Sequence, residues 1–407
     1  MSGNVPNGWR EVRIGQIARE VSSRNRSSAD IPVLSMTKHR GFVRSNEYFS
    51  KSVHSENTEN YKIVKRGQFA YATIHLDEGS IDYLKNHDAG LISPMYTVFE
   101  LSSADIDKDV AFRNFKRFAL SGRFDPYSNG GVNRRKSILF SDLASFRFAI
   151  PPLAEQRAIA EVLGTVEAAI AKTEALIDAI AQTETVLLKQ YFIERQKSLL
   201  WSRVAKMGRW LSGGTPATGI EENWKGPVPW VCPKDIKAPT VSSTIDHISE
   251  DAAKALGMVD PGTLLLVVRG MILTRSVPST ICTVRCAFNQ DVKAFVPNEG
   301  VLPAFLKLWF DINEHKLLGE IETATHGTKR FPLERLNAFP VPVVTRDEQV
   351  RLVTLAECCQ ERLRSERENL SALRSVRDAL AQELLSGRVR LPESIIARHR
   401  DKAGQAA

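Results

Sequence analysis

The sequence has few cysteines, and their spacing indicates neither a metal site nor a disulfide framework. Five occur among 407 residues, an odd number without the paired spacing of a zinc ligand set. They are Cys232, Cys282, Cys286, Cys358 and Cys359. We expect them to be reduced, structural thiols, and this excludes the small disulfide-rich secreted class.

Long hydrophobic runs are also lacking. The longest clear run is Leu264–Val268, far short of the roughly 18 residues that a membrane-spanning helix needs. The segment Met1–Arg10 is polar and unlike a signal peptide. The sequence therefore predicts a cytoplasmic protein with no membrane partner.

Catalytic motifs are missing as well. The chain has no Gly-x-x-x-x-Gly-Lys-Ser/Thr phosphate loop and no His-Glu-x-x-His zinc helix. Asp125-Pro126-Tyr127 is similar to the tetrapeptide with which amino-methyltransferases grip a flipped base, but the second proline is absent and no glycine-rich cofactor loop accompanies it. We expect no enzyme here, with no catalytic residue, metal or cofactor in this chain.

What the sequence does have is positive charge and length. Lysine and arginine number 55 against 47 aspartates and glutamates, a net charge of +8. An excess of cations favours a polyanionic partner, because side chains that face phosphates release counterions. A length of 407 residues, 43% of them hydrophobic, predicts two or more folded domains.

An internal repeat organises the chain. The segment SDLASFRFAIPPLAEQRAIAEVL from Ser141 recurs as ERLNAFPVPVVTRDEQVRLVTLA from Glu334, 193 positions later. Apolar residues then continue in both copies at steps of three, four or seven without an internal proline, which predicts two long helices. Each covers about 38 residues and about 57 Å, near Ala154–Phe192 and Asp347–Leu385.

Short β-type runs separated by Gly, Pro, Asn and Ser precede each helix, including IPVLSM, FAYATI and TLLLVV. The predicted class is α+β: two mostly β domains separated by two long helices that form an antiparallel coiled coil with pseudo-two-fold symmetry. The predicted boundaries are 1–150 for the first domain, 151–195 for the first helix, 196–343 for the second domain, 344–390 for the second helix and 391–407 for a C-terminal tail.

At family level, the chain resembles the DNA-specificity subunits of Type I restriction-modification systems. The resemblance covers nearly the whole chain and rests on NGWREVRIGQIA, PPLAEQRAIA, SGGTPATGIEENWKGPVPWVCPKDIK and the terminal LLSGRVRL. Val343-Val344-Thr345-Arg346 departs from the family's proline-leucine turn at the second helix entry. The resemblance implies two target recognition domains, each reading one half of a split sequence, with the coiled coil as a spacer ruler.

The same resemblance implies the partners. These are double-stranded DNA, two methyltransferase (modification) subunits that dock on the helices, and restriction/translocase subunits. S-adenosylmethionine, ATP and Mg belong to those partner subunits. Apolar residues away from the coiled-coil seam, such as Leu163, Leu188 and Phe192, are candidates for contact with the methyltransferase helices.

Candidate DNA contacts are cations and polar groups beside glycine turns or at strand ends, where main-chain amides and guanidinium groups reach phosphates and base edges together. In the first domain they are Arg24, Arg26, Lys38, His39, Arg40, His75, Asn133, Arg134, Arg135 and Lys136. In the second domain they are Thr215, Lys234, Lys237, Arg269, Arg275, Thr328, Lys329 and Arg330.

Each of these residues has a simpler interpretation, as part of a solvated loop, a surface turn, a basic linker or an ordinary hairpin. A second function also stays open, a coiled-coil scaffold or adaptor whose domains bind protein rather than DNA. Arginine beside glycine turns in both domains favours the DNA-binding interpretation.

Overall fold

The computed structural model describes residues 5–26, 31–38, 41–48, 57–128, 137–324 and 327–400. The chain divides into two compact units. Unit 1 combines Met1–Thr173 with Asn369–Ala407, and unit 2 is Glu174–Glu368. Both divisions fall inside a long helix, so each long helix contributes residues to both units.

Unit 1 is a β-rich domain with short helices. Its strands are β1 (Arg10–Arg13), β2 (Ala18–Val21), β3 (Leu34–Thr37), β4 (Gly41–Arg44), β5 (Lys62–Lys65), β6 (Phe69–Ala72), β7 (Ile81–Tyr83), β8 (Ala89–Ile92), β9 (Tyr96–Leu101) and β10 (Arg147–Ile150). Its helices are α1 (Ile14–Ile17), α2 (Ser45–Tyr48), α3 (Lys108–Leu120), α4 (Phe140–Ala144) and the first part of α5 (Leu153–Glu194).

Unit 2 has the same character. Its strands are β11 (Leu200–Arg203), β12 (Gly208–Ser212), β13 (Val228–Val231), β14 (Thr240–Val241), β15 (His247–Ile248), β16 (Leu264–Val267), β17 (Ser279–Cys282), β18 (Ala287–Phe288), β19 (Val292–Pro297), β20 (Glu322–Thr323), β21 (Lys329–Arg330) and β22 (Pro340–Val343). Its helices are α6 (Val204–Met207), α7 (Glu250–Leu256), α8 (Pro303–Ile312), α9 (Glu314–Gly319), α10 (Leu333–Ala338) and the first part of α11 (Arg346–Ser386); α12 (Glu393–Ala397) follows in unit 1.

The two units share a strand order. The main sheet of unit 1 runs β2-β9-β6-β7, and that of unit 2 runs β12-β19-β16-β17-β14. In both, the strand that enters the unit pairs antiparallel with the strand that precedes the long helix, β1 with β10 and β11 with β22. The repeat seen in the sequence is therefore also a repeat of topology.

A buried glutamine near the start of each long helix holds this arrangement together. In unit 1, the Gln156 side chain accepts a hydrogen bond from the Asp107 N–H at 2.8 Å and donates to the carbonyl oxygens of Asp105 at 3.0 Å and Pro151 at 2.8 Å. A buried amide is tolerated only when its donors and acceptor are satisfied. The side chain thus fixes the segment that leads into α3 against the start of α5.

Gln349 makes the equivalent contacts in unit 2. It accepts from the Leu302 N–H at 2.8 Å and donates to the carbonyl oxygens of Gly300 at 3.0 Å and Val344 at 3.2 Å. Here the segment leading into α8 is fixed against the start of α11. These shared contacts explain why a glutamine stands at the same place in both copies of the repeat.

The two cores differ in chemistry. Aromatic rings fill the core of unit 1, where Phe69 lies 5.1 Å from Phe99 and Phe118 lies 5.1 Å from Phe146, centroid to centroid. In unit 2 the core is more aliphatic, and every residue of β16 is fully buried. Such a run on a central strand is buried on both faces of its sheet.

The two long helices match the sequence prediction closely. They span 42 and 41 residues and run antiparallel. Within unit 2, Glu184 of α5 pairs with Gln360 of α11, whereas Tyr191, further along α5, pairs with the earlier Glu348. As the residue number rises along α5, the number of the paired residue on α11 falls. The helices therefore run in opposite directions, and the predicted antiparallel pairing is confirmed.

The unusual entry to the second helix is a capping box. The Thr345 hydroxyl accepts from the Glu348 N–H at 3.3 Å, and the Glu348 carboxylate accepts from the Thr345 N–H at 3.1 Å. These reciprocal bonds satisfy backbone groups that a helix start leaves without partners. The departure from the family's proline-leucine turn therefore still gives a well-defined helix start at Arg346.

Candidate nucleic-acid interface

Two predicted cationic segments of unit 2 meet although about sixty residues separate them. Arg269 and Arg330 face each other as an antiparallel backbone bridge. The Gly270 N–H donates to the Lys329 carbonyl at 2.9 Å. Because backbone bonds fix these segments, Arg269, Lys329 and Arg330 form one cationic edge.

A third segment adjoins this edge. The Arg269 N–H donates to the Asp291 carbonyl at 3.3 Å, and the adjacent Gln290 accepts a hydrogen bond from the Thr215 hydroxyl at 2.6 Å. Lys293, which the sequence analysis missed, donates to the Ser212 hydroxyl; burial and the nearby Arg269 lower the pKa of its ammonium group. Its place at the start of β19, in register with Ser212, could be recognised only once the strand pairing was known.

The guanidinium groups at this edge have few internal partners. Among the described residues, the exposed Arg269 and Arg275 form no ion pair. Arg330 lies 3.7 Å from Glu322, a carboxylate that Arg335 approaches to 2.7 Å. Arg269, Arg275 and Arg330 are therefore accessible to an external anion.

The other predicted residues of unit 2 are more engaged. The Lys234 ammonium pairs with Asp246 at 2.7 Å, and this hydrogen bond raises the pKa of the lysine. The exposed Lys237 lines a cleft of about 620 Å³ with Lys234 and the turn that follows Gly270. Thr328 is half-buried, and its carbonyl accepts from the Ala324 N–H at 2.8 Å.

In unit 1 the described candidates do not form a comparable group. Arg24 forms an isolated antiparallel β-bridge with Lys62, and the exposed Arg26 follows in the same loop. Lys38 accepts a hydrogen bond at its carbonyl oxygen from Lys116, and the His75 ring pairs with Glu78 at 3.1 Å. The remaining candidates lie outside the described residues: His39, Arg40, Asn133, Arg134, Arg135 and Lys136.

Unit 1 also has a cationic cleft that the sequence analysis did not find. Its volume is about 1070 Å³, and Lys38, Arg117 and Arg123 are among its lining residues. Arg117 donates to the Leu385 carbonyl at 3.0 Å, and burial, followed by the nearby Arg123 and Arg388, lowers its pKa to about 10. Arg117 lies on the amphipathic helix α3, where a lone arginine gives no sequence signal of its surroundings.

Three apolar residues expected to face partner subunits are instead buried within their own units, and this prediction was wrong. Leu163 packs with Val110 of α3 and with the end of α11, and Leu188 belongs to the core of unit 2. Phe192 lies 4.8 Å from Trp309, centroid to centroid. The helical pattern shows which residues are apolar but not which neighbour covers them.

Three further observations concern the Asp125-Pro126-Tyr127 segment, metal binding and membrane spans. Tyr127 of the Asp125-Pro126-Tyr127 segment is partly buried, and its ring packs edge-on against Phe146 of the unit 1 core at 5.4 Å. Within the part of the chain that the structure describes, no cluster of His, Cys, Asp or Glu has the makings of a metal site. None of the described helices is long and apolar enough to span a bilayer.

Comparison with known proteins agrees with this architecture. Residues 6–182 match the family model of the Type I restriction modification DNA specificity domain. Over 208 residues the chain is 26% identical to the specificity subunit of the type I restriction enzyme EcoR124I/EcoR124II of Escherichia coli, a match that covers 50% of this chain and 52% of that protein. The match thus spans about half of that curated relative.

Solved structures of low sequence identity share the fold over almost the whole chain. The HsdS subunit from Thermoanaerobacter tengcongensis matches with a TM-score of 0.51 and 16% identity, covering 95% of this chain and 99% of that one. The S subunit of a Type I restriction-modification system from M. genitalium matches with a TM-score of 0.54 and 13% identity, covering 94% and 97%.

The fold and the family match together define a class: a protein with two β-rich units that share a pair of long antiparallel helices. Within that class, the chain is similar to the DNA-specificity subunits of Type I restriction-modification systems. The resemblance drawn from the sequence motifs is confirmed.

Proposed function

We propose that this chain is the sequence-specific DNA-binding subunit of a Type I restriction-modification complex and performs no catalysis itself. The observation that carries the proposal is the repeat: two units have the same strand order and the same glutamine contacts but different loop residues. A repeated scaffold with diverged loops suits a bipartite, asymmetric target, each unit reading one half.

The cationic edge of unit 2 supplies the chemistry for its half. Arg269 and Arg330 carry planar guanidinium groups that bind phosphates and guanine edges through paired hydrogen bonds. The Thr215 hydroxyl and the Gln290 amide beside them can donate to and accept from base edges. The loops of unit 1 read the other half of the target. They carry Arg24, Arg26, Lys38 and His75, together with the candidates outside the described residues.

The long helices act as the ruler that sets the unread spacer. A helix of 42 residues extends about 63 Å and cannot stretch or compress without breaking its hydrogen bonds. The number of base pairs between the half-sites then follows from helix length. Two methyltransferase subunits and the restriction/translocase subunits supply S-adenosylmethionine, ATP and Mg chemistry.

The docking surface that we propose for the methyltransferase subunits differs from the one expected from sequence, because Leu163, Leu188 and Phe192 are buried. Apolar side chains are exposed on both helices, at Leu187 and Ile193 of α5 and at Val350 and Leu355 of α11. Burial of these side chains by partner helices would remove their apolar surface from water, which favours docking. These four residues lie in unit 2.

Selection of bound sites from a random duplex library tests the function. The full chain, with and without its methyltransferase subunit, should retain a bipartite sequence, and binding should weaken as salt rises. Deletion of one heptad from each long helix should alter the spacer and leave both half-sites unchanged. An unchanged spacer after the paired deletion contradicts the ruler, and absence of any salt-sensitive, sequence-dependent binding favours the adaptor instead.

A further inference from the structure

The turn after β16 presents two large apolar side chains to solvent. Met271 is 61% exposed and Ile272 42% exposed, whereas the next residue, Leu273, is 1% exposed and anchors the turn in the core of unit 2. Gly270 has a φ of 132°, which a residue with a side chain rarely adopts, and its N–H is bonded to β21. Met271 and Ile272 therefore project from a turn that is fixed at both ends.

Arginines flank these two apolar residues in the sequence, and the cleft that the pair lines holds two lysines, Lys234 and Lys237, and two carboxylates, Asp311 and Glu314. Arg269 precedes the turn and Arg275 ends it, and neither forms an ion pair with any described residue. Ile220 of the same unit is 50% exposed, but Glu221 and Glu222 follow it. A single exposed apolar residue needs no explanation, whereas an adjacent pair between accessible arginines indicates a surface for a ligand with anionic edges and an apolar centre.

A DNA major groove has that composition. Phosphates line both sides, and the 5-methyl group of thymine is its distinctive apolar feature. We propose that Met271 and Ile272 read a thymine in the half-site of unit 2 by contact with its 5-methyl group, while Arg269 and Arg275 bind flanking phosphates. This inference rests on the proposed function and names the base that these two residues recognise.

Partial burial distinguishes this contact from insertion between bases. An intercalating wedge enters between two base steps and partially unstacks them. More than half of Ile272 is covered, and the 3-10 helix Met271–Thr274 is only four residues long. The exposed tips therefore suit a shallow contact at the edge of a base.

The test is a double-mutant cycle between protein and DNA. In the selected target, each thymine of the unit 2 half-site is replaced in turn by deoxyuridine, which removes only the methyl group. Fluorescence anisotropy then measures the affinity of the full chain in complex with its methyltransferase subunits. At one position the wild-type affinity should fall about fourfold, the value of one buried methyl group. The Met271→Ala/Ile272→Ala variant should bind the thymine duplex more weakly and show no further loss with deoxyuridine.

Ile220→Ala is the matched control and should keep the full sensitivity to deoxyuridine. Equal sensitivity in wild type and in the double variant overturns the inference, as does a target in which no thymine of that half-site is sensitive. A rise in 2-aminopurine fluorescence that depends on Met271 and Ile272 would show base unstacking and also overturn it. Failure of the wild-type complex to bind any selected duplex instead overturns the proposed function.

Discussion

Accessible arginines in unit 2 differ from those that are already paired. Arg269 has no ion pair among the described residues, and Arg330 has only a long contact of 3.7 Å with Glu322. Arg335, by contrast, lies 2.7 Å from the same carboxylate. This difference decides which guanidinium groups can neutralise phosphates.

Replacing Arg269 and Arg330 by glutamine should therefore weaken the salt dependence of DNA binding. Each lost phosphate contact makes the negative slope of log K against log salt shallower by about 0.9. The slope of the double variant should therefore be shallower than that of the wild type by about 1.8. Anisotropy titrations over a range of salt concentrations measure the slope. Arg335→Gln should leave it unchanged, and an equal effect of that control would show that the accessible arginines have no special role.

Gln156 offers a residue-scale test of the repeated contact. Gln156→Ala removes three hydrogen bonds and leaves the Asp107 N–H and two carbonyl groups without their partner, which should cost unit 1 about 3 kcal/mol of stability. Hydrogen exchange should accelerate in unit 1 and stay unchanged in unit 2. Gln349→Ala should give the reverse pattern, and the exposed Gln190→Ala should change neither unit.

At the scale of elements, the long helices depend on their starts as much as on their length. Glu348 lies in the first turn of α11, where its charge also interacts favourably with the helix dipole. Hydrogen bonds from the N–H and hydroxyl of Thr345, followed by those from Tyr191 and Arg195, lower the pKa of the Glu348 carboxyl. The ionised carboxylate thus stabilises both the helix start and its contact with α5.

This lowered pKa predicts a pH dependence. Ionised Glu348 should stabilise the chain fully above its ordinary pKa of 4.5, and that contribution should be lost as the pH falls through the lower folded value. Urea unfolding at several pH values should show Glu348→Gln less stable than wild type at pH 7, with the difference shrinking as the pH falls below 4.5. The exposed Glu357→Gln is the control, and a gap that persists in acid would contradict this role.

At the scale of the whole molecule, the end of the chain completes unit 1. Arg390, after α11, binds the buried carboxylate of Glu155 at 2.5 and 2.6 Å and the Asn7 carbonyl at 2.7 Å. His399, after α12, lies 2.6 Å from Glu161. Segments near both ends of the sequence thus belong to one folding unit.

Arg390→Ala should consequently destabilise unit 1 and spare unit 2. The change leaves the buried Glu155 carboxylate without its counter-charge, at a cost of about 3 kcal/mol. Calorimetry combined with hydrogen exchange should show a lower melting temperature for unit 1 alone. Arg400→Ala breaks only an exposed pair with Glu393 and should have little effect. Equal loss in both units would mean that they do not unfold separately.

Local patterns in the chain predicted most of the fold. The repeat at an offset of 193 and the uninterrupted helical spacing placed both long helices within one or two residues of their ends, because helix formation depends on nearby residues. The β-type runs indicated the sheets. They did not give the strand order, since a strand's partners can lie far away in the chain.

The candidate DNA site was predicted only in part, and the reason is the same. Glycine turns and nearby cations identified Arg269 and Arg330 separately, but their meeting depends on a backbone bridge between distant segments. Lys293 and Arg117 gave no sequence signal because their surroundings come from other elements. Sequence alone therefore determined the family resemblance, the repeat and the helices. The tertiary structure decided which side chains are buried, paired or accessible, since those properties depend on contacts between residues remote in the chain.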